Sequence, residues 1–235
     1  MSYTNNPGGR LYQPYATPAM DAELRSFMLR VFNTMAGGLA LTGVVAYAAV
    51  ASGLYAAIAG TPLLWVVMLA PVGLALFLGF RVGQMSAMAA QAAFWGYAGL
   101  MGLSLAGIFL VYTGDSIARV FLISAGTFAV TAAWGYTTRT DLSRFGSFLV
   151  MGLIGIVLAG LVNLFIGSSA LQFALSVIGV VVFTGLTAWD TQRLKVMYLD
   201  NGGAGNLAIM GALMLYLDFI NLFVSLLQLI GVRRD

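Results

Sequence analysis

The sequence predicts an all-α integral membrane protein, a bundle of seven transmembrane helices. Three observations predict it. Of 235 residues, 60% are hydrophobic and only 8% charged, against roughly 25% charged in soluble domains. A chain of this size cannot hide that much apolar surface in a core surrounded by water, so lipid must be part of its solvent. The apolar residues gather into seven runs close to the ~20 residues that a spanning helix needs, and the charged residues fall mostly between them.

Residues 1–30 carry Pro, Gly, Asn and Tyr and then the charged stretch "DAELRSFMLR". They read as a cytoplasmic tail running into a short amphipathic lead-in. The apolar core begins at Val31 and runs to about Ser52, too long for the h-region of a signal peptide, although "AVA" at 49–51 imitates a cleavage site. Residues 31–235 form the transmembrane domain, with runs at 31–52, 62–80, 88–112, 117–137, 147–166, 171–192 and 207–231. The longest connection is 193–206, broken by "NGGAG". Connections this short leave no extramembrane domain, so function lies in the bundle or at its rims. "GYAGLMGLSLAG" (96–107) and "GLIGIVLAG" (152–160) supply the small residues that allow close helix packing in lipid.

Orientation follows from Lys and Arg. With the N-terminus in the cytoplasm, the inner side holds Arg10, Arg25, Arg30, Arg81, Arg139, Arg144, Arg193 and Lys195, and the outer side Arg119, Arg233 and Arg234. That eight-to-three bias predicts a cytoplasmic N-terminus. The terminal "GVRRD" dissents; a re-entrant last segment would return it to the inside, but the run is long enough to cross with tilt.

Composition also removes chemistries. Without Cys or His there is no disulfide framework, no Cys/His zinc site and no Ser–His catalytic pair. A pI near 9.3 does not imply nucleic acid, because the basic residues form no patch. The single Lys195 sits at a helix end, unsuited to retinal. A non-enzymatic protein is the expectation, an aspartyl intramembrane protease remaining formally open.

Two carboxylates stand inside predicted spans, Asp190 in "FTGLTAWDTQRLK" and Asp218 in "YLDFI". Asp190 lies 10 residues before Asp200, about 15 Å of helix, and Asp218 lies 12 after Asn206, about 18 Å. The two helices are antiparallel neighbours, so the carboxylates fall at similar depth. On the last helix Asp218, Asn221, Ser225 and Gln228 form one polar stripe; Thr187 and Thr191 share the side of Asp190. A stripe of this kind belongs inside the bundle, which places the last helix centrally. Two touching carboxylates cannot both ionise cheaply and would share a proton, making a candidate latch that closes at low pH and parts at high pH. Parted, they offer oxygens to calcium, with Thr187, Thr191, Asn221, Ser225 and Asn163 as candidate pore-lining groups. Plainer roles stand beside these: Asp190 as an interfacial partner of Arg193, Asp218 as a permanently protonated structural residue, and Asn163 as an interhelical hydrogen bonder. Arg81 is either a snorkelling anchor or the ion-pair partner that latches Asp190. "RTDLSRFG" (139–146) offers Asp141 or Ser143 as a helix cap.

Four ordered motifs carry a resemblance: "FWGYAGLMGLSLAGIFLVYT" (94–113), "GYTTRTDLSRFGSFLVMGLIGIVLAGLVNLF" (135–165), "VFTGLTAWDTQRLK" (182–195) and "LYLDFINLFVSLLQLIG" (215–231). Together they closely resemble the Bax inhibitor-1 family, and the short loops look like its bacterial members. The resemblance implies a seven-helix bundle with a central last helix, in a bacterial inner membrane. It also implies a pH-sensitive calcium leak gated by an aspartate pair, which falls on Asp190 and Asp218, with Arg81 as the closing arginine. Calcium is expected as a permeant or weakly bound ion, with no other cofactor. The competing expectation is a non-conducting regulator that binds another membrane protein, such as an ATP-dependent protease.

Overall fold

A computed structural model describes residues 18–201 and 206–234; the tail before Pro18 and the "GGAG" of the predicted last connection lie outside them. Seven helices are long and apolar enough to cross a membrane, and the protein is an all-α membrane bundle. In order the helices are α1 (Pro18–Ala51), the short α2 (Leu54–Ala59), α3 (Leu63–Arg81), α4 (Ala87–Leu105), the single turn α5 (Ile108–Val111), α6 (Gly114–Thr137), α7 (Ser143–Ile166), α8 (Ser169–Asn201) and α9 (Leu207–Ile230).

The amphipathic lead-in is part of α1 rather than a separate element. Leu24, Phe27, Met28 and Val31 are buried at helical spacing while Glu23, Arg25 and Arg30 are exposed. Its partner is the far end of α8, which continues nine residues past the expected limit of 192. Those nine residues include Arg193, Lys195 and Asp200, so they do not read as a span, yet Leu194 and Tyr198 recur at helical pitch and are buried. Phe27 stacks on Tyr198 with ring centroids 4.7 Å apart. Gly211 of α9 lets Leu194 and Val31 close over the same spot. The expected 193–206 connection therefore shrinks to the few residues before Leu207. Asn206 holds that turn, donating through Nδ2 to the carbonyls of Val82 (3.0 Å) and Met85 (2.6 Å).

The third run is also not one helix. The chain breaks at Ala106–Gly107 and resumes as α5, then α6 starts at Gly114 with Thr113 Oγ1 accepting from the Ser116 N–H. The N-cap position of α7 is Leu142, which makes no side-chain cap; the expected Asp141 stands one residue earlier, its Oδ1 accepting from the Ser143 N–H at 2.9 Å. That bond, with Arg144 nearby, holds the exposed Asp141 carboxyl below its ordinary range. Gly167 ends α7 in a left-handed conformation, φ 65°.

Helix α9 packs against α8, α1, α6 and α4. Of its most apolar stretch 61% is buried, against 6% for α7, which rests mainly on α8. The last helix is therefore central. It runs the length of the bundle without turning back: Arg233 pairs antiparallel with Tyr112, the Thr113 N–H donates to Val232 O and the Arg234 N–H to Val111 O. These bonds fix the end of the chain on the side of the α5–α6 connection.

Close approaches depend on particular glycines. A Cβ on Gly102 would fall on the backbone of Thr42, and one on Gly135 on the backbone of Ala188. Gly155 and Gly160 of the expected packing stretch have nothing within 4 Å, because α7 turns them away from its neighbour. Gly135→Ala should accordingly force α6 from α8 and lower stability by about 1–3 kcal/mol, whereas Gly155→Ala should be neutral or stabilising by up to about 1 kcal/mol from helix propensity; thermal unfolding of the two variants in detergent checks the contrast.

Candidate functional site

The α8–α9 pair places the two buried aspartates. Asp190 lies 11 residues before the end of α8 and Asp218 lies 11 after the start of α9. At 1.5 Å per residue both sit about 16 Å from the turn joining their helices, so the antiparallel pairing sets them opposite each other. They are 7% and 5% exposed, and their carboxyl groups lie within hydrogen-bonding reach of one another. The remaining oxygens, Asp190 Oδ1 and Asp218 Oδ2, have no hydrogen-bond partner. Two buried carboxyl groups thus face each other, one oxygen of each without a protein partner.

The threonines beside Asp190 are fully buried. Thr187 Oγ1 donates to Phe183 O at 2.8 Å, and Thr191 Oγ1 donates to Thr187 O at 2.7 Å. Their protons are spent on their own helix, which leaves lone pairs facing the interior. Asn221 likewise donates to Leu217 O (2.8 Å) and is half-buried. Ser225 is buried against Gly179, where a Cβ would meet its hydroxyl.

Further along the same seam the polar groups bond to each other. Gln228 Oε1 accepts from Gln172 Nε2 (2.7 Å) and Ser176 Oγ (3.1 Å). Gln172 Oε1 accepts from Asn163 Nδ2 (3.2 Å), and Asn163 Oδ1 accepts from the Ser168 N–H (3.0 Å). Polar side chains therefore run from the carboxyl pair along the α8–α9 contact to the α7–α8 turn. Asn163 is the interhelical bonder that its position suggested. Gln172 and Ser176 were not anticipated; their signal was the recurrence of Gln172, Ser176, Gly179, Thr187 and Asp190 on one face of α8.

Arg81 is exposed in the last turn of α3 and makes no ion pair or hydrogen bond with Asp190. The reason is topological. Helix α3 packs on α4, and α8 packs on α9, α6, α7 and α1, so the two residues are not brought together in this state. The cation acting on Asp190 is Arg193, one turn further along α8, whose guanidinium lies 5.2 Å from the ring centroid of Trp189.

A second buried polar group also escaped sequence reasoning. Thr42 Oγ1 of α1 is 2.6 Å from the Tyr216 hydroxyl and 2.9 Å from the carbonyls of Gly38 and Ala98, tying α1, α4 and α9 together. Tyr97 packs edge-on against Tyr216, and its hydroxyl is buried without a partner. Among the described residues no three acidic side chains cluster, so the pair does not supply the six to eight oxygens of a tight calcium site.

This architecture defines a class: a seven-span helical membrane protein with a carboxyl pair enclosed between its last two helices. Residues 24–235 match the family model described as inhibitor of apoptosis-promoting Bax1. The chain is 48% identical over 219 residues to an uncharacterized protein of Rickettsia prowazekii, covering 92% of this chain and 93% of that one. It is 44% identical over 220 residues to the inner membrane protein YbhL of Escherichia coli, 91% and 94% covered, and 44% identical over 234 residues to an uncharacterized protein of Caulobacter vibrioides, 94% of each. The chain belongs to the Bax inhibitor-1 family.

The geometry separates two substitutions at Asp218. Asn can still donate to Asp190, so Asp218→Asn should fold with nearly wild-type stability. Leu would leave the Asp190 carboxyl buried with no partner, and Asp218→Leu should be less stable than Asp218→Asn by about 1–3 kcal/mol; comparative thermal unfolding in detergent reads the ordering.

Proposed function

We propose that this protein is a pH-sensitive calcium leak channel of a bacterial inner membrane, with its N-terminus in the cytoplasm and the Asp190–Asp218 pair as its gate. The observation that carries the reading is the direct contact of two buried carboxyl groups whose other oxygens have no protein partner. Such a pair is stable when one proton bridges it. When both groups ionise they repel in a low-dielectric interior, and the repulsion is relieved by separating the helices or by admitting water and a cation. The bridged, buried state corresponds to a closed bundle.

Calcium suits the opened pair as cargo rather than as a resident ion. Two carboxylates with the oxygens of Thr187, Thr191, Asn221 and Ser225 are hard oxygen ligands, yet too few acids to hold the ion tightly. Conduction needs a site that binds weakly enough to release. The polar seam through Ser225, Ser176, Gln228 and Asn163 offers a continuation away from the pair. Arg81 has no contact with Asp190 in this state, so a latching role for it would require α3 and α8 to approach in another. The inner-membrane location of the Escherichia coli relative YbhL supports the choice of membrane, and the basic residues gathered at one end of the bundle support the orientation.

The sign of the pH response follows from the gate. Protons close it, so calcium entry into liposomes containing the purified protein should rise several-fold between about pH 5 and about pH 8. Asp218→Asn, which cannot ionise at that position, should flatten the dependence. A folded Asp218→Asn variant with an unchanged pH profile removes the pair from the gate. No flux at any pH in folded wild-type protein overturns the channel reading and leaves that of a membrane regulator acting through a bound protein.

A further inference from the structure

Helices α1 and α6 both pack on α9 but stand apart from each other. The gap between them is a lateral groove of about 420 Å³, within the range of small-molecule sites. Its floor is Phe219, Ile220 and Phe223 of α9, its walls include Gly43 and Ala118, and Phe109 of α5 closes one end. The only side-chain polar group in the lining is the Thr42 hydroxyl, already held by Tyr216 and backbone carbonyls. Nothing in the groove would recognise a polar solute. Gly43, Ala118 and the neighbouring Phe121 are exposed, so in a membrane the groove opens toward lipid.

The rim has the opposite character. Helix α5 leads to Tyr112, against which Arg233 is paired, and Arg234 Nε donates to Tyr112 O at 3.1 Å. Arg119 follows the lining residue Ala118 one turn inside the start of α6. Arg119, Arg233 and Arg234 are exposed and form no ion pair among the described residues. The acids of this rim are Asp115, exposed in the first turn of α6, and Asp235, which is outside the described residues. The other described basic residues, Arg25, Arg30, Arg81, Arg139, Arg144, Arg193 and Lys195, belong to the opposite end of the bundle. The three arginines that break the charge bias of the chain thus lie at the end of the bundle where α5 closes the groove.

We infer that this groove is a binding site for a glycerophospholipid of the surrounding bilayer, one acyl chain lying against α9 and the phosphate held by Arg119, Arg233 and Arg234. Hydrocarbon suits the lining, guanidinium groups suit phosphate, and arginine stems run along apolar surface to reach the headgroup level. The lipid would occupy space between two helices that both pack on α9, and its chain would press on the turn that follows Asp218. The inference does not depend on the channel reading.

Native mass spectrometry of the purified protein in mild detergent tests it. Wild-type protein should retain one phospholipid. A Cβ on Gly43 meets nothing within 4 Å, so Gly43→Phe should fold, fill the groove and lower retention at least about tenfold. Arg119→Gln combined with Arg233→Gln should lower retention by about tenfold through the headgroup while leaving the melting temperature unchanged. Equal retention in wild type and in both folded variants overturns the site, as does wild-type protein that retains no lipid when titrated with phospholipid micelles. A bound fatty acid in place of phospholipid overturns the role of the arginines. A lipid-free dimer cross-linked through the groove assigns it to a second copy instead.

Discussion

Helix α9 carries a carboxyl group, two amides and a hydroxyl along one side and almost nothing else that is polar, and that side cannot face hydrocarbon. Each such group left unpartnered in lipid costs several kcal/mol. The chain meets the constraint by surrounding α9 with α8, α1, α6 and α4. Because α9 is central, the other helices are sorted by their distance from it. Helix α8, with its own polar face, becomes the closest partner. Helix α7, apolar from Phe148 to Val162, takes a lipid-facing place, and α3 packs mainly on α4. The position of the carboxyl pair is thus a consequence of the same demand that organises the bundle.

Packing within this arrangement relies on shape more than on hydrophobicity, as expected where lipid is as apolar as the side chains. Gly135 admits the backbone of α8, Gly102 admits that of α1, and Gly146 admits the Trp189 ring. Hydrogen bonds then fix register: Thr42 with Tyr216, Gln172 with Gln228, and Asn206 with the turn after α3. At the other end the strand-like pairing of Tyr112 with Arg233 ties the end of α9 to the α5–α6 connection. The central helix is therefore held at both ends, while its middle, where Asp218 lies, is bounded by a seam of polar groups on one side and by an apolar groove on another. A change of helix separation at the carboxyl pair would be felt in both.

Much of this was legible in the sequence, and the parts that were not share a cause. Seven runs of apolar residues set seven spans, since length and hydropathy are local properties. The pairing of Asp190 with Asp218 was also readable, because two helices joined by a short turn must be antiparallel neighbours and counting residues then sets relative depth. The inward direction of Asn221 and Ser225 followed from helical pitch, whereas Gln228 at the end of the stripe is exposed and bonds to Gln172 and Ser176. Misjudged boundaries arose where tertiary contact overrode local composition. Residues 193–201 are polar enough to read as a loop, and they are helical because Leu194 and Tyr198 are buried against α1 and α9.

The sequence by itself determined the class of fold, the burial of two carboxyl groups and their common depth, for these depend on periodicity and on the cost of charge in lipid. Only the tertiary structure decided which non-adjacent helices meet. Arg81 ends a helix of suitable polarity on the same side as Asp190, but α3 and α8 have different neighbours, and nothing in either segment encodes that. Gln172, Tyr97 and Thr42 lie far apart in the chain from the groups they face, so they carry no local signal of their role. The gap between α1 and α6, at the end of the bundle that carries Arg119, Arg233 and Arg234, exists only because α9 packs against both helices.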